Sequence, residues 1–579
     1  MKKLIVVAVL ALVAVPSGRA FQTKPPAGPG VASTTGLVVS SSDVASDAAA
    51  EILAQGGNAV DAAVATAFAM AVTYPFAGNI GGGGFLIVRT PDGNVATFDY
   101  REKAPGKSTP AMYLNAQGQI DGSLTRAGYL APGVPGTVRG MALAHSRFGK
   151  LPWNDVVQPA VKLAYDGFVM SASLAASLNG EVQGRDGSGG PMSPFPASIA
   201  AYGKPGGGAW AAGDRIVQTD LGKSLSAIAN DGPNAFYTGW IADRIAEDMA
   251  RNGGLINKAD LAAYQAKERA PIKGTFLGYD IISMPPPSSG GVALVEMLNM
   301  LEAVEIQKKT RGSVEAWHLI TEAQRRAYLD RARYLGDPDF SDIPVAKLIS
   351  KPHAQTLAKT IDPKQAAKSV ELGRDIVTVP QGGEPDETTH FSVIDRNGMA
   401  VSNTYTLEGG YGSHVVIAGT GILLNNEMGD FNKKPGTTDL TGNIGTQANL
   451  IAPGKRMLSS MTPAMVARDG KLVLITGSPG GRTIINTVLN VVLNVTAWGM
   501  NGHDAVTAGR SHHQWLPDNV TIEGATPQLL AGLKALGHDA RSSMRQGSTQ
   551  TIWVDPKTGT AYGVADVRDS TAKASKASR

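Results

Sequence analysis

The 579-residue chain contains no cysteine, so neither a disulfide framework nor a lipid-modified N-terminal cysteine is possible. It also has few charges, with 18% charged residues and a net charge of +4. No long basic run and no stripe of basic and aromatic residues occurs, so nothing in the composition indicates a nucleic-acid partner. The remaining composition, with 43% hydrophobic residues, indicates a large globular protein.

Long apolar runs are scarce, and no segment has the about 20 successive apolar residues of a membrane-spanning helix. The N-terminus carries Lys2 and Lys3, a shorter apolar run over residues 4–15, and small residues at Gly18 and Ala20. This pattern predicts a signal peptide over residues 1–20. We therefore expect a soluble mature protein in a bacterial periplasm, with secretion as the second choice.

Two β-rich runs, residues 388–395 and 399–407, flank an Asn-Gly turn that is typical of a hairpin. A two-residue loop would pair Asp395 with Ala400. A three-residue loop, with its glycine in the left-handed conformation, would pair Asp395 with Met399. The turn sequence alone permits both registers.

The second register separates the two faces better, and it places Thr388 opposite Thr406. It collects polar side chains on one face and apolar side chains on the other. The polar set is Thr388, His390, Ser392, Ser402, Thr404 and Thr406, and the apolar set is Phe391, Val393, Val401 and Tyr405.

Residues 379–387, upstream of this hairpin, are polar and rich in turn formers, as in an accessible tail. A cut between Glu387 and Thr388 would give Thr388 a free α-amine with a reference pKa of about 8. The threonine would then carry a nucleophilic hydroxyl and its own general base. The alternative interpretation is a strand that happens to be rich in threonine.

Two glycine runs could place backbone close to a partner. The first, Gly81–Gly84, leads into a β-like segment and lacks the Lys-Ser/Thr of a phosphate-binding loop, so we interpret it as close packing. The second, Gly477–Gly481, precedes an amphipathic helix predicted over residues 482–498. Its exposed N–H groups suit an oxyanion hole, with phosphate binding as the competing interpretation.

The remaining patterns predict a mixed α and β fold. Residues 42–73 predict two helices divided by a Gly-Gly-Asn break, and residues 180–210 predict a long irregular segment. Further predicted elements are strands at 95–100, 421–426 and 471–476, and helices near 220–230, 241–251, 292–303 and 314–332. His512-His513 and His390 lack metal-ligand spacing, so we predict no metal and no cofactor.

Several motifs together closely resemble the γ-glutamyltranspeptidases, which are N-terminal-nucleophile hydrolases. The resemblance covers nearly all of the chain after the leader. The motifs that carry it are Gly78-Asn79-Ile80-Gly81-Gly82-Gly83-Gly84-Phe85, Asp99-Tyr100-Arg101-Glu102-Lys103-Ala104-Pro105, Pro132-Gly133-Val134-Pro135-Gly136-Thr137, Thr388-Thr389-His390, Thr404-Tyr405-Thr406-Leu407, the segment 423–431, Leu458-Ser459-Ser460-Met461-Thr462-Pro463 and Gly477-Ser478-Pro479-Gly480-Gly481.

The resemblance implies an α+β fold of the four-layer αββα type and a precursor cut into residues 21–387 and 388–579. The two subunits would form one intertwined heterodimeric domain. It implies catalysis by Thr388, with Thr406 orienting it and with Gly480 and Gly481 as the oxyanion hole.

For the substrate, the resemblance assigns the α-carboxylate to Arg101, Ser459 and Ser460. The guanidinium fork suits a carboxylate because it donates two parallel hydrogen bonds. It assigns the ammonium to Asp430, assisted by Glu408 and Glu427. Without the resemblance, Arg101 is most simply a surface ion pair, and the acidic residues a solvated loop.

The implied activity is transfer of γ-glutamyl groups from glutathione and similar small molecules to water or to amino acid or peptide amines. One rival is an acylase of the same family for glutaryl or β-lactam side chains, and another is an uncleaved extracytoplasmic binding protein. Two positions depart from the family. Glu408 replaces a common asparagine, and Thr441 stands where some bacterial relatives carry a gating aromatic in a lid over residues 435–449.

Overall fold

The computed structural model describes residues 30–378 and 388–578. The predicted signal peptide and the predicted tail before Thr388 lie outside these ranges. Among the described helices, none combines the length and the apolar character that crossing a membrane requires.

The described strands, in chain order, are β1 (Val31–Ser33), β2 (Gly36–Ser40), β3 (Gly83–Arg89), β4 (Val95–Asp99), β5 (Phe168–Val169), β6 (Arg215–Ile216), β7 (Lys267–Arg269), β8 (Ile272–Phe276), β9 (Tyr279–Ser283), β10 (Thr389–Asp395), β11 (Ala400–Thr406), β12 (Val416–Ile417), β13 (Ile422–Leu423), β14 (Ala464–Arg468), β15 (Lys471–Thr476), β16 (Ser511–His512), β17 (Val520–Glu523), β18 (Ala540–Ser543), β19 (Thr551–Val554), β20 (Ala561–Val564) and β21 (Lys573–Lys576).

The described α-helices are α1 (Asp43–Ala54), α2 (Ala59–Thr73), α3 (Ser123–Arg126), α4 (Thr137–Phe148), α5 (Trp153–Asp166), α6 (Ala172–Gln183), α7 (Pro196–Tyr202), α8 (Thr219–Asp231), α9 (Asn234–Tyr237), α10 (Trp240–Arg251), α11 (Lys258–Ala263), α12 (Gly290–Ala303), α13 (Val314–Tyr334), α14 (Val345–Leu348), α15 (Lys351–Ala358), α16 (Ser369–Leu372), α17 (Thr483–Thr496), α18 (Gly502–Thr507) and α19 (Pro527–Ala535). Short 3₁₀ turns cover Ile306–Lys308, Glu427–Asp430 and Gln447–Asn449.

Two seven-stranded sheets form the centre of the molecule. The first has the order β21-β2-β10-β11-β3-β4-β7, and the second β1-β20-β19-β15-β14-β9-β8. Helices α1 and α2 belong to the core that covers the first sheet, whereas α12, α13 and α17 belong to the core around the second. The predicted four-layer αββα sandwich is confirmed.

The hairpin at the centre of the first sheet has the predicted register. Thr389 pairs with Tyr405, and the Asp395 N–H donates to the Met399 carbonyl at 3.0 Å. Gly398 has φ +87°, the left-handed conformation that the three-residue loop requires. Strand pairing therefore sets Thr388 opposite Thr406.

The two faces of this hairpin meet different layers. The apolar face packs against α2, where the Tyr405 hydroxyl donates to the Ala67 carbonyl at 3.0 Å. The polar face lies between the sheets, where Ser392 donates to the Gln550 carbonyl at 2.7 Å and Ser402 to the Thr476 carbonyl at 3.1 Å. Side-chain hydroxyl groups of the first sheet thus donate hydrogen bonds to backbone carbonyl groups on the side of the second sheet, and these bonds connect the two sheets.

Three sequence predictions need correction. The segment predicted as irregular contains α7, which begins with a proline at its first turn, where the missing N–H costs nothing. The strand predicted over residues 421–426 is only Ile422–Leu423. Helix α17 was predicted to be amphipathic, but its polar face is also buried, since Asn486 donates to the His513 carbonyl at 3.0 Å.

His390 is a buried structural histidine of the polar face. Its ring nitrogens lie 2.8 Å from the Thr404 hydroxyl and 3.1 Å from the Ser392 hydroxyl. Burial lowers the pKa of His390 to about 3, because the cation would lose its hydration. The imidazole is therefore neutral in the folded protein, where it serves as a hydrogen-bonding spacer.

We expect the folded state to lose stability in acid partly through His390. The unfolded chain binds the proton near the ordinary pKa, so this contribution is complete above pH of about 6.5 and declines as the pH falls toward 3. At pH 4.5 the cost is on the order of 2 kcal/mol. Thermal unfolding from pH 7 to 4.5 should show a shallower decline for His390→Gln than for wild type. Parallel curves would contradict this assignment.

Candidate active site

A cavity of about 810 Å³ lies at the end of the hairpin and collects residues that are far apart in the sequence. It is lined by Thr388, Thr406, Gly481, Arg101, Glu408, Glu427, Asp430, Ser459 and Ser460. Gly480 instead lines a second cavity of about 1140 Å³, which Thr388 also borders. Each predicted site residue therefore lines a cavity that Thr388 also borders, and we call the first cavity the donor cavity.

Thr388 is 4% exposed and immediately precedes β10, the first strand of the hairpin. Opposite it, the Thr406 hydroxyl accepts a hydrogen bond from the Glu408 N–H at 2.8 Å, and the Thr406 carbonyl accepts one from the Asn79 side chain at 2.8 Å. A Cβ at Gly82 would lie 2.1 Å from the Thr406 carbonyl oxygen. The first glycine run thus permits close backbone packing behind Thr406, as we predict from the sequence.

The second glycine run forms a turn between β15 and α17. Gly480 has φ +125° and Gly481 has φ +49°, so both lie in the region that glycine tolerates best. The Gly480 carbonyl accepts from the Thr483 N–H at 2.9 Å, closing the turn into the helix. Gly481 lines the donor cavity and Gly480 lines the second cavity, and Thr388 lines both. The turn therefore lies close to Thr388.

Arg101 is 1% exposed and is surrounded by carboxylates. Its guanidinium lies 2.5 Å from the Glu427 carboxylate and 3.5 Å from the Glu102 carboxylate, and it donates to Asp430. Its Nε also donates to the Met457 carbonyl at 3.3 Å. The side chain is therefore fixed at the wall of the donor cavity, beside an acidic group that is 36% exposed, Asp430.

Burial and charge act in opposite directions in this cluster. Burial alone would lower the pKa of Arg101, but Glu427, Asp430 and Glu102 raise it above its ordinary value. Burial raises the pKa of Glu102 and of Glu427 because the charged carboxylates lose their hydration, and the Arg101 guanidinium offsets only part of this effect. The cluster thus combines a permanent cation with more than one proton-accepting carboxylate.

Ser459 and Ser460 lie beside this cluster, held by residues that the sequence did not reveal. The Ser459 carbonyl accepts from the Ser289 hydroxyl at 2.6 Å, and the Ser460 hydroxyl accepts from Arg331 at 3.0 Å. Arg331 also donates to Ser289 at 2.9 Å and itself lines the cavity. In the sequence, Arg331 belongs to an ordinary helical pattern in α13, which gives no indication that its side chain reaches the site.

The loop over residues 435–449 covers part of the donor cavity. Thr437, Asp439 and Asn443 line the cavity, whereas the Thr441 hydroxyl donates to the Asp439 carboxylate at 2.7 Å. Asn449 donates to the Asp430 carbonyl at 2.7 Å. The loop is thus organised by its own aspartate and connected to the acidic turn by an asparagine.

Comparisons with known proteins agree over most of the chain. The family model described as Gamma-glutamyltranspeptidase matches residues 45–575. The glutathione hydrolase proenzyme of Escherichia coli (strain K12) is 46% identical over 534 residues, covering 92% of this chain and 90% of that protein. The acylase ACY 1 proenzyme of Pseudomonas sp. (strain SE83) is 39% identical, covering 92% and 91%.

Solved structures of acylases and transpeptidases are also similar to this chain. Cephalosporin acylase from Bacillus halodurans has a TM-score of 0.82 at 25% identity, covering 97% of this chain and 99% of that one. Helicobacter pylori gamma-glutamyltranspeptidase has a TM-score of 0.54 at 42% identity, covering 56% of this chain and 91% of that one. The architecture is thus similar to that of an acylase as well as that of a transpeptidase, so the side chains of the site must discriminate between the two.

Proposed function

Because the chain belongs to the γ-glutamyltranspeptidase family, we propose that it is made as a precursor, cuts itself between Glu387 and Thr388, and then acts as a γ-glutamyltransferase and glutathione hydrolase. The predicted leader supports export to the periplasm or beyond the cell. Residues 21–387 and 388–579 would remain together, since each large sheet contains hydrogen-bonded strands from both parts.

The observation that carries the proposal is the charge arrangement beside Thr388. Arg101 and Asp430 place opposite charges at one end of the donor cavity, which complements the α-carboxylate and ammonium of a glutamyl head. Ser459 and Ser460 add hydroxyl donors beside Arg101. Glu408 and Glu427 also line this cavity and would assist Asp430 in holding the ammonium.

In the proposed reaction, Thr388 Oγ attacks the γ-carbonyl carbon while the Thr388 α-amine accepts its proton. The Gly480 and Gly481 N–H groups stabilise the negative oxygen that develops. The intermediate then expels the amine, which takes up the proton, and leaves a γ-glutamyl ester on Thr388. Water or an acceptor amine attacks this ester, and the proton returns to Thr388 Oγ.

The acylase alternative is compatible with the fold. It matches the charges of the site less well than a γ-glutamyl substrate does, because a glutaryl group has no ammonium to balance Asp430. An uncleaved binding protein would remain one full-length chain, with no backbone cut near residue 387. Rates with glutathione, γ-glutamyl anilide and glutaryl anilide, together with migration on a denaturing gel, test both alternatives. Faster turnover of the glutaryl compound would overturn the proposed substrate, and one full-length band would overturn the processing.

Thr406→Ala should slow maturation or turnover by about 10-fold or more while leaving the fold intact. The Thr406 hydroxyl lies across the hairpin from Thr388 and is oriented by the Glu408 N–H, and a misplaced nucleophile is costly. Single-turnover release of 4-nitroaniline and the time course of cutting measure the two effects. Thr406→Ser keeps the hydroxyl and serves as the matched control. Unchanged kinetics in the alanine variant would remove Thr406 from the site.

We also expect hydrolysis to exceed transfer at neutral pH, with transfer increasing at alkaline pH and high acceptor concentration. Thr441 lies in the loop beside the donor cavity without lining it, and its side chain is much smaller than an aromatic ring, so we expect water to reach the ester more easily. The measurement is the ratio of glutamate to γ-glutamyl-glycylglycine as glycylglycine is raised, and Thr441→Tyr should shift it toward transfer. Predominant transfer at low acceptor concentration would contradict the argument.

A further inference from the structure

One histidine and two carboxylates from three different helices meet outside the two cavities described above. Glu296 lies in α12, Asp330 in α13 and His353 in α15, and we call these residues the three-helix cluster. The His353 Nε2 atom lies 2.9 Å from the Asp330 carboxylate and 3.5 Å from Glu296 Oε1. Ligand atoms bound to one Zn²⁺ ion lie about 3.3 Å apart, so this spacing suits a shared metal ion.

Glu296 is the least satisfied member of this cluster. Its side chain is 1% exposed, and its Oε1 has no hydrogen-bond partner in the described part of the chain. Burial, together with the nearby Asp330 carboxylate, raises the pKa of Glu296 well above its ordinary value, because the charged form loses its hydration beside a second negative charge. A divalent cation would bind this oxygen and balance both carboxylates, whereas without a cation Glu296 must keep a proton.

The neighbours of the three-helix cluster do not already neutralise it. Asp330 Oδ2 faces His353, and its Oδ1 lies 3.8 Å from Arg333, which also binds Asp375. The side chains of Asp330 and His353 are 8% and 14% exposed. Water molecules can therefore reach the cluster from the surface and supply further ligands to an ion.

A second group of similar composition differs in its charge balance. The ligand atoms of His318, Glu322 and His538 also lie within 4.8 Å of one another. There, however, the Glu322 carboxylate is already bound by Arg325 at 3.1 Å and by Arg326 at 2.5 Å. Two permanent cations would repel a metal ion, so we interpret this group as a buried network of ion pairs.

We infer that the three-helix cluster binds one divalent transition-metal ion of the Zn²⁺ class. Two carboxylate oxygens and one imidazole nitrogen are ligands that suit such an ion, and two carboxylates balance its charge. The ion would join α12, α13 and α15 and would have a structural role, independent of the proposed function. The sequence-based prediction of no metal rests on His390, His512 and His513 and does not address this cluster, whose spacing matches no metal-binding motif.

Zinc binding to the purified protein, prepared without a polyhistidine tag, tests the inference. The protein is stripped with a chelator and dialysed against Zn²⁺, and the bound zinc is quantified by elemental mass spectrometry. We expect one ion per chain and a higher midpoint of thermal unfolding when Zn²⁺ is present, because the ion binds the folded state. His353→Ala, Asp330→Asn and Glu296→Gln should each weaken binding by more than about 100-fold, since loss of an outer-shell partner alone typically costs about 10- to 100-fold.

Asp330→Asn and Glu296→Gln preserve the shape of the side chains, so they keep the test valid even if His353→Ala folds poorly. His503→Ala is the matched control, because His503 lies 3.3 Å from one carboxylate, that of Asp504, and belongs to neither three-residue group. This control should bind zinc as wild type does. Failure of wild type to bind one ion per chain, or a bound ion that none of the three cluster variants weakens, would overturn the inference.

Discussion

Thr388→Ala is expected to accumulate as one uncut chain with no measurable γ-glutamyl turnover. Cutting and catalysis both require the same hydroxyl, in cutting to attack the preceding carbonyl and in turnover to attack the donor. Loss of a nucleophile typically removes about 10⁶-fold of the rate. A denaturing gel of the purified variant and an anilide assay measure the two effects.

Two control variants separate the hydroxyl from its surroundings. Thr388→Ser retains a nucleophile and should still be cut, although more slowly. Thr389→Ala removes the neighbouring hydroxyl, whose oxygen is buried and has no hydrogen-bond partner in the described part of the chain, and should mature normally. Normal cutting of Thr388→Ala would contradict the assignment of Thr388.

Arg101→Leu and Asp430→Ala should each weaken the use of γ-glutamyl donors by roughly 2 to 4 kcal/mol in kcat/KM, as for losing one member of a desolvated charge pair. The Arg101→Leu variant lacks the guanidinium that is proposed to hold the α-carboxylate, and the Asp430→Ala variant lacks the carboxylate that is proposed to hold the ammonium. Asp430→Asn keeps the shape while removing the charge, so it separates electrostatics from packing.

The glutaryl donor, which lacks the ammonium, provides the internal comparison. Its use should be insensitive to Asp430→Ala, because it has no ammonium for Asp430 to hold. Its use should be sensitive to Arg101→Leu, because it retains the carboxylate that Arg101 is proposed to hold. Equal loss for glutamyl and glutaryl donors in Asp430→Ala would show that Asp430 does not bind the ammonium. Thermal unfolding of each variant excludes loss of fold as the cause, since Arg101 neutralises buried Glu102 and Glu427.

The hairpin was predictable because its information is local. The alternation of side chains and the turn glycine are sufficient to select one register, and Asp395 pairs with Met399 as that register requires. The paired helices α1 and α2 were predictable for the same reason, since Ser42 and Asn58 are strong N-caps.

The surroundings of the site were not predictable, because they depend on tertiary contacts. Arg331 reaches Ser460 from a helix about 130 residues away in the sequence, through contact that no periodicity encodes. Helix α17 has a regular apolar stripe, yet Asn486 is also buried because the β16 segment covers it. Likewise the second cavity combines turns that the sequence places far apart, including those at Phe76 and Tyr411.

The most direct test of the central claim is to map the acyl-enzyme. The purified protein is mixed with a γ-glutamyl anilide, quenched in acid, digested and analysed by mass spectrometry. We predict that a chain begins at Thr388 and that its first residue carries the γ-glutamyl group as an ester on Oγ. A chain that begins elsewhere, or an adduct on any other residue, would contradict the account.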